Sequence, residues 1–124
     1  MQELIHGMVP PGATVLELGC GTGDLLAALQ PRHGLGLNFA QKLTEQARRK
    51  YPHLDFETVD VDEVTAPDGF HPDYVILNNM LDYVYDVWDV LENLRPLISD
   101  RTLLVITTNN PLWASVLRFA SRIG

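Results

Sequence analysis

An almost wholly apolar run, Val15-Leu16-Glu17-Leu18, passes without a break into Gly19-Cys20-Gly21-Thr22-Gly23-Asp24, which carries glycine at three alternating positions. A short apolar run reads as a strand buried on both faces. Leu25, Leu26, Ala28 and Leu29 then recur at helical spacing until Pro31. A buried strand, a sharp glycine turn and a helix make a βα unit. Glycine adopts backbone angles that other residues avoid, and with no side chain it lets a ligand approach the main chain closely.

The rest of the chain repeats the unit. A short helix over 2–8 is stopped by Pro10 and Pro11, and the first strand covers 13–18. A second strand is expected over 34–37. A helix over 41–51 follows, with Leu43, Ala47 and Tyr51 on one face and Pro52 at its end. Strands three, four and five are expected over 55–59, 74–77 and 102–108, with a helix over 87–94 between the last two. A final amphipathic helix is expected from near Pro111, turning Leu112, Val116 and Phe119 or Ala120 inward. Alternating strands and helices predict the α/β class, with a parallel sheet and right-handed crossovers. Ligands of such sheets bind beyond the carboxyl ends of the strands. In this chain those ends are 17–24, Asn38, Asp60 and Asn78.

Composition closes off other classes. At 124 residues the chain makes one domain. A net charge of −7 argues against a nucleic-acid backbone as ligand, and the one basic run, Arg48-Arg49-Lys50, suits a helix C-terminus. The single cysteine, Cys20, forms no intrachain disulfide and has no histidine near it in any motif; it reads as a small residue filling a tight loop. His6, His33, His53 and His71 lie in or beside loops before strands and lack the spacing of a metal site, so no metal is expected. No signal peptide and no apolar stretch of about 20 residues is present, which predicts a cytoplasmic location and no membrane association.

The glycine spacing narrows the ligand. A dinucleotide fingerprint is G-x-G-x-x-G. Here Asp24 follows Gly23, so the third glycine comes one place early and a carboxylate stands where a pyrophosphate would be repelled. A positive or zwitterionic ligand fits better, which leaves a nicotinamide dehydrogenase as a third choice. "VLELGCGTGDLLAAL" resembles the first motif of class I S-adenosylmethionine-dependent methyltransferases, an acidic residue followed by G-x-G-x-G. "FETVDVDEV" is similar to the third-strand motif of that family, and "PDYVILNNMLDYVYD" to its fourth strand and following loop.

The resemblance implies a Rossmann-like three-layer α/β/α sandwich with a mostly parallel sheet of about five strands in the order 3-2-1-4-5. It implies S-adenosylmethionine as cofactor, with the backbone of Gly19, Cys20 and Gly21 along its methionine moiety and Glu17 beneath the loop. Asp60 would accept from the adenine amino group, the Val61 N–H would donate to a ring nitrogen, and Phe39 would pack on the adenine face. Asn78 would contact the methionine end through its carbonyl. Asn38 falls where the family carries Asp or Glu on the two ribose hydroxyls, a change costing roughly 1 kcal/mol if an amide contact replaces a charged one. In the loop after strand four, Asp82 and Tyr83 occupy positions where many relatives have a pair of histidines, and they are the candidate catalytic residues, Asp82 as a base.

The reading that follows is methyl transfer from S-adenosylmethionine to a small-molecule acceptor, by a domain spanning 1–124 that lacks the C-terminal strands of the family. The rival reading is a non-catalytic or truncated module that binds the cofactor and acts through a partner or dimer. With no strand expected after the fifth, the strand-five edge and the last helix would be open to a homodimer contact.

Overall fold

The computed structural model describes residues 9–59, 70–78, 92–99, 101–107 and 114–118. Strands β1 (Thr14–Leu18), β2 (His33–Asn38), β3 (Asp55–Thr58), β4 (Tyr74–Asn78) and β5 (Leu103–Thr107) pair in parallel, and β6 (Ala114–Arg118) joins them at one side. The order across the sheet is β3-β2-β1-β4-β5-β6. The expected 3-2-1-4-5 arrangement is therefore present, and the crossover between β3 and β4 places β1 at the centre, where the order reverses.

The two faces of β1 separate cleanly. Leu16 and Leu18 enter one cluster with Leu35, Leu37, Val75, Leu77 and Leu104. Val15 enters the other, with Ile76 and Val105 and with Leu25 and Leu26 of helix α1 (Asp24–Ala28) and Ala47 of helix α2 (Gln41–Lys50). Both helices therefore cover the same face. On that face β2 presents glycines: a Cβ on Gly34 would lie 2.9 Å from Pro31 Cγ, and one on Gly36 only 2.6 Å from Cys20 Sγ. The Leu-Gly alternation of β2 is thus a packing pattern, filling one face and letting helix and loop close down on the other. Residues 92–94 are helical and lead into a tight turn over Arg95–Leu97, matching the end of the helix expected over 87–94; its remainder and the segment 2–8 lie outside the described residues.

The C-terminal expectation is corrected. Residues 114–118 are not helical; they form β6, antiparallel to β5, with Leu103 opposite Arg118 and Thr107 opposite Ala114. Five residues cannot distinguish a helical from a strand period by apolar spacing, and the backbone groups along the outer side of β5 reward a partner strand. The strand-five edge is consequently occupied, and the homodimer contact expected there, or through a last helix, loses its basis.

Candidate functional site

The carboxyl ends of β1, β2 and β4 lie side by side. Leu18 pairs with Leu37 and with Leu77, so Gly19, Asn38 and Asn78 each stand one residue beyond a shared rung. The loop that leaves β1 is pinned at once. The Gly19 and Cys20 N–H groups both donate to the Leu37 carbonyl, at 2.8 and 3.3 Å, and the Gly23 N–H closes a turn onto the Cys20 carbonyl at 2.9 Å. Gly21 has φ +59° and Gly23 φ +85°, both in the left-handed region. They do different things. A Cβ on Gly23 would lie 2.6 Å from Phe56 Cζ, whereas one on Gly21 would meet nothing within 4 Å. Gly23 seats the loop on the protein, and Gly21 leaves it open to an incoming group.

Beneath the loop, Glu17 is fully buried and stands opposite Gly36. Cys20 is buried as well. Its desolvation, reinforced by the Glu17 carboxylate and only partly offset by a bond from Asn38, pushes the thiol up to about 12. This thiol is a neutral filler rather than a nucleophile. Asp24, the first residue of α1, accepts from the Tyr51 hydroxyl and from Lys50 Nζ, each at 2.6 Å, and from Thr22 Oγ1 at 3.1 Å. These partners, Lys50 first and Tyr51 next, hold its carboxyl down at about 2. Asp24 therefore fastens α1 to the end of α2, a role its motif position alone does not reveal.

Asn38 is 3% exposed, and its amide is engaged by the glycine loop. Oδ1 accepts from the Gly21 N–H at 2.9 Å, and Nδ2 donates to the Gly21 carbonyl at 2.8 Å and to Cys20 Sγ at 3.2 Å. The β2 end is further tied to β3 by the Val59 N–H, which donates to the Asn38 carbonyl at 2.7 Å. Phe39, next in the chain, is 60% exposed and is the exposed large hydrophobic residue among those described. Asp60, Val61, Asp82 and Tyr83 lie outside the described residues, as does the side chain of Asn78. Among the described residues no cluster of metal-ligating side chains occurs. His33, the first residue of β2 where a preceding loop was expected, pairs with Asp55 at 3.0 Å at the opposite end of the sheet.

A family model described as a methyltransferase domain matches residues 16–104, from the middle of β1 into β5. The chain belongs to the methyltransferase domain family. Within this methyltransferase domain family, the chain is 34% identical over 105 residues to the bifunctional methionine biosynthesis protein MetXA/MetW of Rhodopirellula baltica, covering 75% of this chain and 16% of that one. A TehB-like S-adenosylmethionine-dependent methyltransferase of Corynebacterium glutamicum superposes with a TM-score of 0.71 at 22% identity, over 85% of this chain and 59% of that one. An S-adenosylmethionine-dependent methyltransferase of Geobacter sulfurreducens, solved in complex with S-adenosyl-L-homocysteine, gives a TM-score of 0.68 at 18% identity, over 85% of this chain and 46% of that one. The chain thus spans under two thirds of the length of each of these relatives.

The methyltransferase domain carries the class I Rossmann-like architecture, with its glycine loop at the topological switch point. Among the described residues no helix is long and apolar enough to cross a membrane.

Proposed function

We propose that residues 1–124 form the S-adenosylmethionine-binding domain of a methyltransferase that acts on a small-molecule acceptor. The observation that carries this reading is the open side of Gly21, bare of any atom a Cβ would touch, at the end of the sheet that also bears the exposed ring of Phe39. A loop with an accessible main chain, a buried carboxylate beneath it and an aromatic face beside it suit a zwitterionic amino-acid end joined to an aromatic base.

In this reading the backbone of Gly19, Cys20 and Gly21 lines the methionine moiety, and Glu17 supports the loop from below. Phe39 offers its face to adenine, Asp60 and the Val61 N–H bind the adenine edge, and the Asn78 carbonyl meets the amino-acid end. S-adenosylmethionine, when bound, supplies a methyl group already activated on a sulfonium. The protein's task is then to hold an acceptor in line with it, with Asp82 taking the acceptor proton and Tyr83 orienting it. The formal charge of −7 supports a small acceptor over a nucleic acid.

Calorimetric titration of S-adenosylmethionine, S-adenosyl-L-homocysteine and NAD tests the reading. Micromolar binding of both adenosyl ligands, lost in Asp60→Ala and absent for NAD, is expected. Binding of none of them would remove the cofactor assignment. Binding without turnover on any acceptor would favour a cofactor-binding module that works through a partner.

A further inference from the structure

The family pattern asks the residue at the end of β2 for a ribose contact, and Asn38 occupies that position. The geometry points to a different role: we propose that Asn38 is a positioning residue, locking the glycine loop by a two-point pairing with the main-chain N–H and C=O of Gly21, and that it is no substitute for a ribose-binding carboxylate. This inference rests on the cofactor reading above for its functional consequence, while the lock itself is a property of the protein alone.

The pairing clamps both main-chain groups of one residue, which belong to successive peptide units. Oδ1 accepts from the Gly21 N–H and Nδ2 donates to the carbonyl of the same residue, at 2.9 and 2.8 Å. The second Nδ2 hydrogen goes to Cys20 Sγ. Both of the amide's donors are therefore engaged by the loop, and at 3% exposure the side chain has little surface to offer a ribose. The pairing also explains the amide. A carboxylate here would set an anion against the Gly21 carbonyl and the Cys20 sulfur, with the buried Glu17 carboxylate already acting on that sulfur. Two acceptors facing each other in a buried place repel. An amide supplies both hydrogen-bonding polarities at once; an ionised carboxylate supplies one.

The charged surroundings bear on how a carboxyl would behave at this place. Among the described residues, Glu17 from β1 and Cys20 from the loop are the titratable groups on this side of the sheet beside it. From α2, Thr44 is neutral and Arg48 bonds the Phe56 carbonyl. From α1, Asp24 is engaged with Lys50 and Tyr51. Among the described residues the Gly21 N–H is the donor already in place for an anion here, and no cationic side chain is shown bonded to the Asn38 position. A protonated carboxyl, however, reproduces the amide's pattern of one donor and one acceptor toward Gly21.

That difference gives a test with opposite signs for the two roles. S-adenosyl-L-homocysteine binding is titrated from pH 5.5 to 8.5 with the wild type, Asn38→Asp and Asn38→Ala. The lock predicts that Asn38→Asp loses affinity about tenfold at pH 8.5 and regains most of it toward pH 5.5, as the donor bond to the Gly21 carbonyl is lost, with an anion set against that oxygen, and then remade. It predicts that Asn38→Ala is weak at every pH. Binding by Asn38→Asp equal to or tighter than wild type at pH 8.5 would overturn the lock and return Asn38 to the ribose.

Amide hydrogen exchange at Gly21 in the wild-type protein without cofactor gives a second readout, independent of any variant's folding. Protection of that N–H is expected, and its loss in Asn38→Ala; free exchange in the wild type would overturn the lock. Failure of the wild type to bind S-adenosyl-L-homocysteine would instead refute the cofactor reading, leaving the exchange result to decide the lock.

Discussion

The Tyr51 hydroxyl donates to Asp24 Oδ1 over 2.6 Å, so the residue that follows α2 holds the residue that begins α1. Lys50 closes on the same carboxylate at 2.6 Å, and the glycine loop is thereby anchored at its far end, as Asn38 anchors it in the middle.

The Asp24 carboxyl titrates at about 2 in the folded protein, because Lys50 and then Tyr51 favour its anion. A folded value below the ordinary carboxylate range means that the unfolded chain binds the proton first. The stabilisation is therefore fully present above about pH 4 and lost as the pH falls toward 2. With both side chains of the ion pair about half exposed, solvent and salt reduce the effect. Thermal unfolding should show wild type losing its advantage over Asp24→Asn across that interval, and losing part of it in high salt at pH 7.

Two glycines of one loop should respond differently to the same substitution. Gly23→Ala drives a methyl into Phe56 at a positive φ and should cost stability by about 2–4 kcal/mol, combining overpacking with backbone strain. Gly21→Ala meets no protein atom, so its stability cost should stay near 1 kcal/mol. Its methyl stands where the proposed cofactor approaches, and S-adenosyl-L-homocysteine affinity should fall well beyond what that strain explains. Denaturant unfolding and calorimetry on the pair separate the two effects.

Phe39→Ala removes a ring that is 60% exposed, and unfolding stability should move by no more than about 0.5 kcal/mol. If the ring stacks on adenine, affinity for S-adenosyl-L-homocysteine should drop about three- to tenfold. Unchanged affinity would remove Phe39 from the site.

Cys20 should resist thiol reagents in the native state, since its thiolate is scarce with the titration pushed up to about 12. At pH 8 modification should be negligible in buffer and complete in denaturant. As the only cysteine in the chain, it serves as an internal reporter of loop opening.

The alternation of strands and helices and the glycine loop were readable from residues because both follow from local pattern: short apolar runs, proline stops, and glycines immediately after a buried strand; the strand order came from the resemblance to the methyltransferase family. The β2 glycines were not read, since the Leu-Gly alternation gains meaning only when helix α1, Cys20 and Phe56 are seen pressing on one face. Asn38 was located correctly at the end of β2, yet its direction depends on a backbone group seventeen positions away. The strand at 114–118 was missed for a related reason: its identity comes from pairing with β5, and apolar spacing over so few residues fits either period.

The reversal of β6 also decides where the chain returns to the sheet. Thr107 stands beside Ala114, so departure from β5 and re-entry into β6 happen at one end, which is the end bearing Asn38 and Asn78. A sixth parallel strand would have required the chain to travel back along the whole sheet before rejoining it. Thr107 and Ala114 themselves therefore stand on one rung beside Asn78, at the same rim of the sheet as the glycine loop.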